Sequence, residues 1–229
     1  MGAVPLTVVV GTGRCGSTLL SRILNEHPDV LSMSEFFGIL RLAGASGRSG
    51  FPAGDMTGAQ LWDLLARPFP MLDAMLAVGL RTAEMIYPFG TGRFRPATGV
   101  PLISHFVLPM LTTKPDELFD ALAAEVPRWP RRPAAGQYLA LFGYLAGRLG
   151  RPVVVERSAA SLRLIGPLHE QFPASIGVSA PPSWLEAATA LVGPPEPPRI
   201  GAAAAELDPD AFAALHAACQ PGTQALEVS

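Results

Sequence analysis

The stretch 6–28 most limits what this chain can fold into. Residues 6–10, Leu6-Thr7-Val8-Val9-Val10, form a short apolar run rich in β-branched side chains, the pattern of a buried parallel strand. Gly11, Gly13 and Gly16 follow in one loop, and from Ser17 onward Leu19, Leu20, Ile23 and Leu24 recur at helical spacing until Pro28 ends the run. A strand buried on both faces needs parallel partners and covering helices. The segment therefore predicts an α/β fold, a P-loop-like parallel sheet flanked by helices, with residues 8–10 in a central strand.

Further elements follow the same rules. Residues 55–85 read as two helices broken near Pro68 and Pro70, and residues 102–108 as a strand or extended segment between prolines. A helix is expected over 115–126 with proline at its start, and another over 134–149 with Gly150 as its stop. Val153, Val154 and Val155 form the second clear buried strand, and Ser158 is placed to cap a helix running to Phe172. Val30, Leu31, Ser32 and Met33 make a weak strand. Beyond Leu164 the only Lys or Arg is Arg199, prolines cluster between Pro181 and Pro198, and helices are expected over 182–192 and 209–219. The chain reads as one domain over 1–229: a loop-bearing part over 1–173 and a helical segment over 174–229. Two good strands are few for this length, so a helix-rich fold with an incomplete sheet is expected.

The loop carries the chemistry. A strand ending in a glycine-rich turn aims backbone N–H groups at one point, and the next helix adds its positive N-terminal end. Gly13, Cys15 and Gly16 supply backbone donors, Ser17 and Thr18 supply hydroxyls, and Arg14 supplies a cation. The loop differs from the Walker A pattern because Ser17 stands where lysine is required. It also contains the GxGxxG spacing, but an acidic residue closing a clear second strand is missing: Glu35 has about the right spacing behind only a weak strand.

Composition removes several other classes. Net charge is −2, so no basic field points to nucleic acid. Cys15 and Cys219 make neither a disulfide framework nor a metal-ligand spacing, and His27, His105, His169 and His216 form no metal-binding pair. No apolar run approaches the ~20 residues of a membrane span, and the N-terminal residues lack the pattern of a secretory signal. A cytoplasmic protein with no metal, membrane or nucleic-acid partner is the expectation.

The run Gly11-Thr12-Gly13-Arg14-Cys15-Gly16-Ser17-Thr18-Leu19-Leu20 resembles the 5′-phosphosulfate loop of sulfotransferases that use 3′-phosphoadenosine 5′-phosphosulfate (PAPS). Asn25-Glu26-His27-Pro28-Asp29-Val30 and Ser34-Glu35-Phe36-Phe37 are similar to the region after that loop in bacterial and tyrosylprotein-type members. Val153-Val154-Val155-Glu156-Arg157-Ser158, leading to Phe172-Pro173, resembles their second block. The family's next block, an arginine and a serine that hold the donor's 3′-phosphate, has no counterpart in residues 174–185.

The resemblance implies PAPS as donor, bound by Gly13, Arg14, Cys15, Gly16, Ser17, Thr18 and Arg157. It implies Glu35 as the catalytic base and Arg14 as the stabiliser of charge on the transferring group. The acceptor would be a hydroxyl of a small molecule or a peptide. A degenerate member that keeps only anion binding is the alternative, and a P-loop phosphotransferase is a third reading. His105 is a rival base, set in an apolar stretch that favours a structural role. On this reading Arg14→Ala removes a charge-assisted contact worth roughly 1.5–3 kcal/mol, and calorimetry with an adenosine 5′-phosphosulfate-type ligand is expected to show that loss.

Overall fold

A computed structural model describes residues 5–11, 16–45, 50–52, 54–82, 84–159 and 161–172. Strand β1 (Leu6–Val9) leads to helix α1 (Ser17–Asn25), then β2 (Val30–Ser34) and α2 (Phe36–Ala45). A helical stretch follows: α3 (Gly58–Ala66), α4 (Pro70–Ala77), α5 (Leu102–Phe106), α6 (Leu108–Leu111), α7 (Pro115–Glu125) and α8 (Ala134–Leu149). The chain then returns through a long strand, Val153–Arg157, and a 3-10 turn, Ser161–Leu164, to a helix, Ile165–Gln171. Two-residue strands, β3 (Asp55–Met56) and β4 (Arg132–Pro133), pair antiparallel beside α3 and α8. That long strand and the helix after it are therefore β5 and α9. The fold is α/β: among the described residues, a parallel three-stranded sheet in the order β1-β5-β2 with helices around it.

Two strand expectations change. Residues 30–34 are a full strand, buried throughout, where the sequence read as weak. Its serines look polar on paper, but Ser32 and Ser34 are spent on buried hydrogen bonds, to Ser21 at 3.3 Å and from Arg157 at 2.8 Å. The centre of the sheet, among the described residues, is β5 rather than β1. Val8 pairs with Glu156 and Val9 with Arg157 on one side, and Met33 with Glu156 and Ser34 with Arg157 on the other.

Residues 102–108 form helices, not an extended segment. Pro101 precedes α5, Pro109 sits in the first turn of α6, and Leu102, Ile103, Ser104, His105 and Phe106 are all buried. A helix buried on every side has no amphipathic stripe to announce it. Helices α7 and α8 match expectation, with Pro115 opening the first and Gly150 (φ 67°) closing the second. The pair around Pro68 and Pro70 also forms, but α4 stops at Ala77 rather than running on to residue 85.

Ser158 does not cap the helix behind it. That helix begins at Ile165 after the 3-10 turn, while the Ser158 hydroxyl accepts a hydrogen bond from Gly38 N, 2.9 Å away in the first turn of α2. The core is built on an aromatic cluster from α2 and α8. Phe36 packs edge-on against Phe142 (4.9 Å between ring centres) and Tyr138 (5.7 Å), and Phe37 lies tilted against Phe172 (5.5 Å). This cluster presses α2 onto the sheet and fixes where its N-terminus begins. The helices expected over 182–192 and 209–219, and the block after Phe172, lie outside the described residues.

Candidate functional site

In open parallel sheets, ligands bind beyond the carboxyl ends of the strands. Here those ends bring together residues far apart in sequence. Gly11 follows β1, Glu35 follows β2, and Arg157 closes β5. The N–H of Gly11 donates to the Ser161 hydroxyl at 3.1 Å, joining the start of the loop to the segment after β5. Thr12, Gly13, Arg14 and Cys15 lie outside the described residues. Gly16, the cap of α1, has φ +79°, a left-handed conformation that glycine adopts without strain. Ser17 is buried. Thr18 is half-buried, and its hydroxyl donates to the Glu84 carboxylate at 2.9 Å.

Glu35 turns the chain from β2 into α2. Its N–H donates to the Arg157 carbonyl at 2.8 Å, continuing the sheet pairing, and its carbonyl accepts from Ile39 N at 2.9 Å, starting the helix. Doing both places it at φ +62°, a conformation uncommon for a residue with a Cβ. Its side chain turns back toward the strand. Oε1 accepts from Arg157 Nη1 and from Ala159 N (2.9 Å). A Cβ on Gly38 would lie 2.7 Å from Oε2, so glycine there leaves room for the carboxylate. Burial raises Glu35 above the ordinary carboxylate range; the Ala159 N–H and Arg157 pull against it, and the charge of Glu84 adds to the rise.

Arg157 is fully buried. Besides Glu35, it donates from Nε to Ser21 of α1 at 3.2 Å and from Nη2 to Ser34 of β2 at 2.8 Å. One guanidinium thus ties a helix, a strand end and the strained carboxylate together. Its planar fork suits this better than an ammonium would.

Its neighbour Glu156 points to the opposite face, as alternation along a strand requires. There its Oε1 accepts from Phe37 N at 3.1 Å and from the Ser158 hydroxyl. Glu156 and Ser158 together satisfy two N–H groups in the first turn of α2, which lack partners within the helix. Burial pushes Glu156 up to about 8, although the hydrogen bonds from Ser158 and Phe37 oppose the shift. It is therefore mainly a neutral carboxyl at pH 7.

The site thus gathers Gly16, Ser17, Thr18, Glu35 and Arg157 from the sequence expectation. His105 is elsewhere: it is fully buried, with Nε2 3.8 Å from Asp73 and its ring near Phe89 and Phe106. Burial lowers it to about 4, so it is neutral at pH 7. Sequence reasoning missed Glu84, which sits in an irregular stretch without a motif. It also missed Ser21 and Ser34, whose burial shows only once β2 is recognised as a strand. Among the described residues no group of three or more His, Cys, Asp or Glu side chains could hold a metal, and no helix is long and apolar enough to cross a membrane. Comparisons with protein families, curated proteins and solved structures find no match to this chain.

Two buried groups, His105 and Glu156, give opposite pH dependences. His105 binds its proton less tightly when folded, about 4 against an ordinary 6.5, so it adds stability as pH rises through that window. Glu156 binds its proton more tightly when folded, about 8 against 4.5, so its contribution is present below 4.5 and is lost as pH rises toward 8. Of the two, only Glu156 still changes above pH 6.5. Denaturant unfolding should show the wild type losing roughly 1–2 kcal/mol between pH 6.5 and 8, and Glu156→Gln should flatten that slope.

Proposed function

We propose that this chain is a sulfotransferase that moves a sulfuryl group from PAPS to a hydroxyl acceptor. The observation that carries the reading is Glu35: a carboxylate held in a strained conformation by Arg157 and Ala159 N, at the strand ends where the glycine-rich loop opens. Strain of this kind concentrates at functional sites. The strand order supports the reading against a dinucleotide fold. There the second strand pairs with the first, whereas here β5 lies between β1 and β2.

In the proposed reaction Glu35 takes the proton of the acceptor hydroxyl. The acceptor oxygen bonds to sulfur while the bond from sulfur to the donor's phosphate oxygen breaks. The products are the sulfate ester and 3′-phosphoadenosine 5′-phosphate. The raised proton affinity of Glu35 suits a general base better than an ordinary carboxylate would. Ser17, Thr18 and the loop N–H groups of Gly13, Cys15 and Gly16 hold the 5′-phosphosulfate, and Arg14 offsets the charge growing on the leaving oxygen. Arg157 orients Glu35 through Nη1, is itself held by Ser21 and Ser34, and lends its charge to the binding of the donor. The acceptor is a hydroxyl of a small molecule or a peptide, and the proposed setting is the cytoplasm.

The degenerate reading, anion binding without transfer, draws on one observation: residues 174–198 contain no arginine or lysine to hold a 3′-phosphate. Calorimetry with 3′-phosphoadenosine 5′-phosphate and adenosine 5′-phosphate side by side separates the two. A catalytic member prefers the 3′-phosphorylated nucleotide by tenfold or more, because charge-assisted contacts contribute roughly 1.5–3 kcal/mol each. A degenerate one scarcely discriminates, and absence of binding to either sinks both.

In an active preparation assayed against a panel of phenols and alcohols, Glu35→Gln should lower kcat by about 10²–10⁴ while leaving nucleotide affinity within a few fold. An equal loss in kcat and affinity would make Glu35 a binding group.

A further inference from the structure

The Thr18 hydroxyl is already occupied. Thr18 stands in the first turn of α1, where Leu20 N donates to Gly16 O at 3.1 Å and the N–H groups before it have no partner within the helix. Such a helix end attracts negative charge, and the carboxylate that meets it is the chain's own Glu84, 2.9 Å from Thr18 Oγ1. Glu84 comes from the stretch between α4 and the 3-10 turn Pro96–Thr98, where the described residues form no helix or strand.

We propose that Glu84 is an internal stand-in for the ligand anion. Its carboxylate takes the Thr18 hydroxyl that a phosphosulfate would use, so an anionic ligand binds only by displacing it. This rests on the reading of the loop as an anion site, and adds to it a device that sets the site's affinity from within.

The surroundings fit a displaceable anion. Burial would raise Glu84, but hydrogen bonds from Thr18, its own N–H and Thr82, together with the charge of Arg157, hold it below the ordinary carboxylate range. It is ionised at neutral pH, when a phosphate ester also carries full negative charge. Two anions cannot share one hydroxyl donor at contact distance, because like charges a few ångströms apart repel strongly where water is partly excluded. Among the described residues, the charges coupled to it are Glu35, by repulsion, and Arg157. When Glu84 leaves, Arg157 loses a neighbouring anion that the ligand's own charge replaces.

The test is calorimetry on the wild type, Glu84→Gln and Glu84→Ala, with inorganic pyrophosphate and with 3′-phosphoadenosine 5′-phosphate, each with and without Mg²⁺. Glutamine keeps the size of the side chain, so folding is not at stake there. Without Mg²⁺ both variants are expected to bind each ligand about tenfold tighter than the wild type, or more. A merely structural hydrogen bond would move affinity the other way. Equal or weaker binding by the variants, with the wild type binding both ligands, overturns the proposal and leaves the sulfotransferase reading standing. Binding that requires Mg²⁺ and is lost in Glu84→Gln also overturns it, because Glu84 would then be a cation ligand. Tighter pyrophosphate binding by the variants, with no binding of the nucleotide, supports the role of Glu84 and sinks the sulfotransferase reading. No binding by any of the three proteins overturns both.

Discussion

A single buried guanidinium holds this site in shape. Arg157 ends the central strand, and its side chain reaches α1 at Ser21, β2 at Ser34 and the turn at Glu35. A charge fully removed from water is tolerable only when paired and hydrogen-bonded, so burial of Arg157 makes each of those partners necessary. The carboxylate of Glu35 balances the charge, and the two serine hydroxyls take up N–H groups that would otherwise be stranded. The turn at Glu35 follows from the same demand. Its left-handed backbone is the cost of placing a carboxylate against Arg157 while its main chain still completes the sheet and starts α2.

The alternation of β5 separates two jobs on adjacent residues. Arg157 faces the side that carries α1 and the loop, while Glu156 faces α2 and ends its first turn together with Ser158. One strand end thus places both the helix that follows Glu35 and the side chain that Glu35 carries. Aromatic packing of Phe36 and Phe37 against α8 and Phe172 holds that same first turn from the side of the core. Glu35 is pinned between these two constraints, which explains why an exposed-looking glutamate in the sequence ends with its carboxylate largely out of water.

Much of this was legible in advance, and the failures have physical causes. The strands at 6–9 and 153–157, the helix after the loop, and α7 and α8 carry local signals: β-branched runs, prolines at helix starts, a glycine at a helix end. Strand β2 was obscured because Ser32 and Ser34 satisfy distant partners, and local pattern cannot see a hydrogen bond to Ser21 or Arg157. The helical segment 102–111 was obscured because burial on all sides erases periodicity. Glu35 and Arg157 could each be singled out, but not their mutual contact, and Glu84 belongs to no motif. Ser158 was read as the cap of its own following helix, while it serves a helix over a hundred residues earlier. Side-chain partners set by tertiary structure are the information a linear reading lacks.

The place of β5 between β1 and β2 also governs how the molecule comes to be. Strands β1 and β2 leave the ribosome well before β5, yet they do not pair with each other in the sheet; each waits for the strand at 153–157, and Glu35 meets Arg157 across a separation of 122 residues. Closing a loop of that size must precede any reward from the parallel ladders, which makes such pairings slow. Throughout synthesis of the intervening helices, two apolar strand edges stand open beside a half-made site. The nascent chain is therefore most exposed to misassociation just before β5 arrives, and its arrival joins the two strands and forms the buried charge pair and the strained turn in one event.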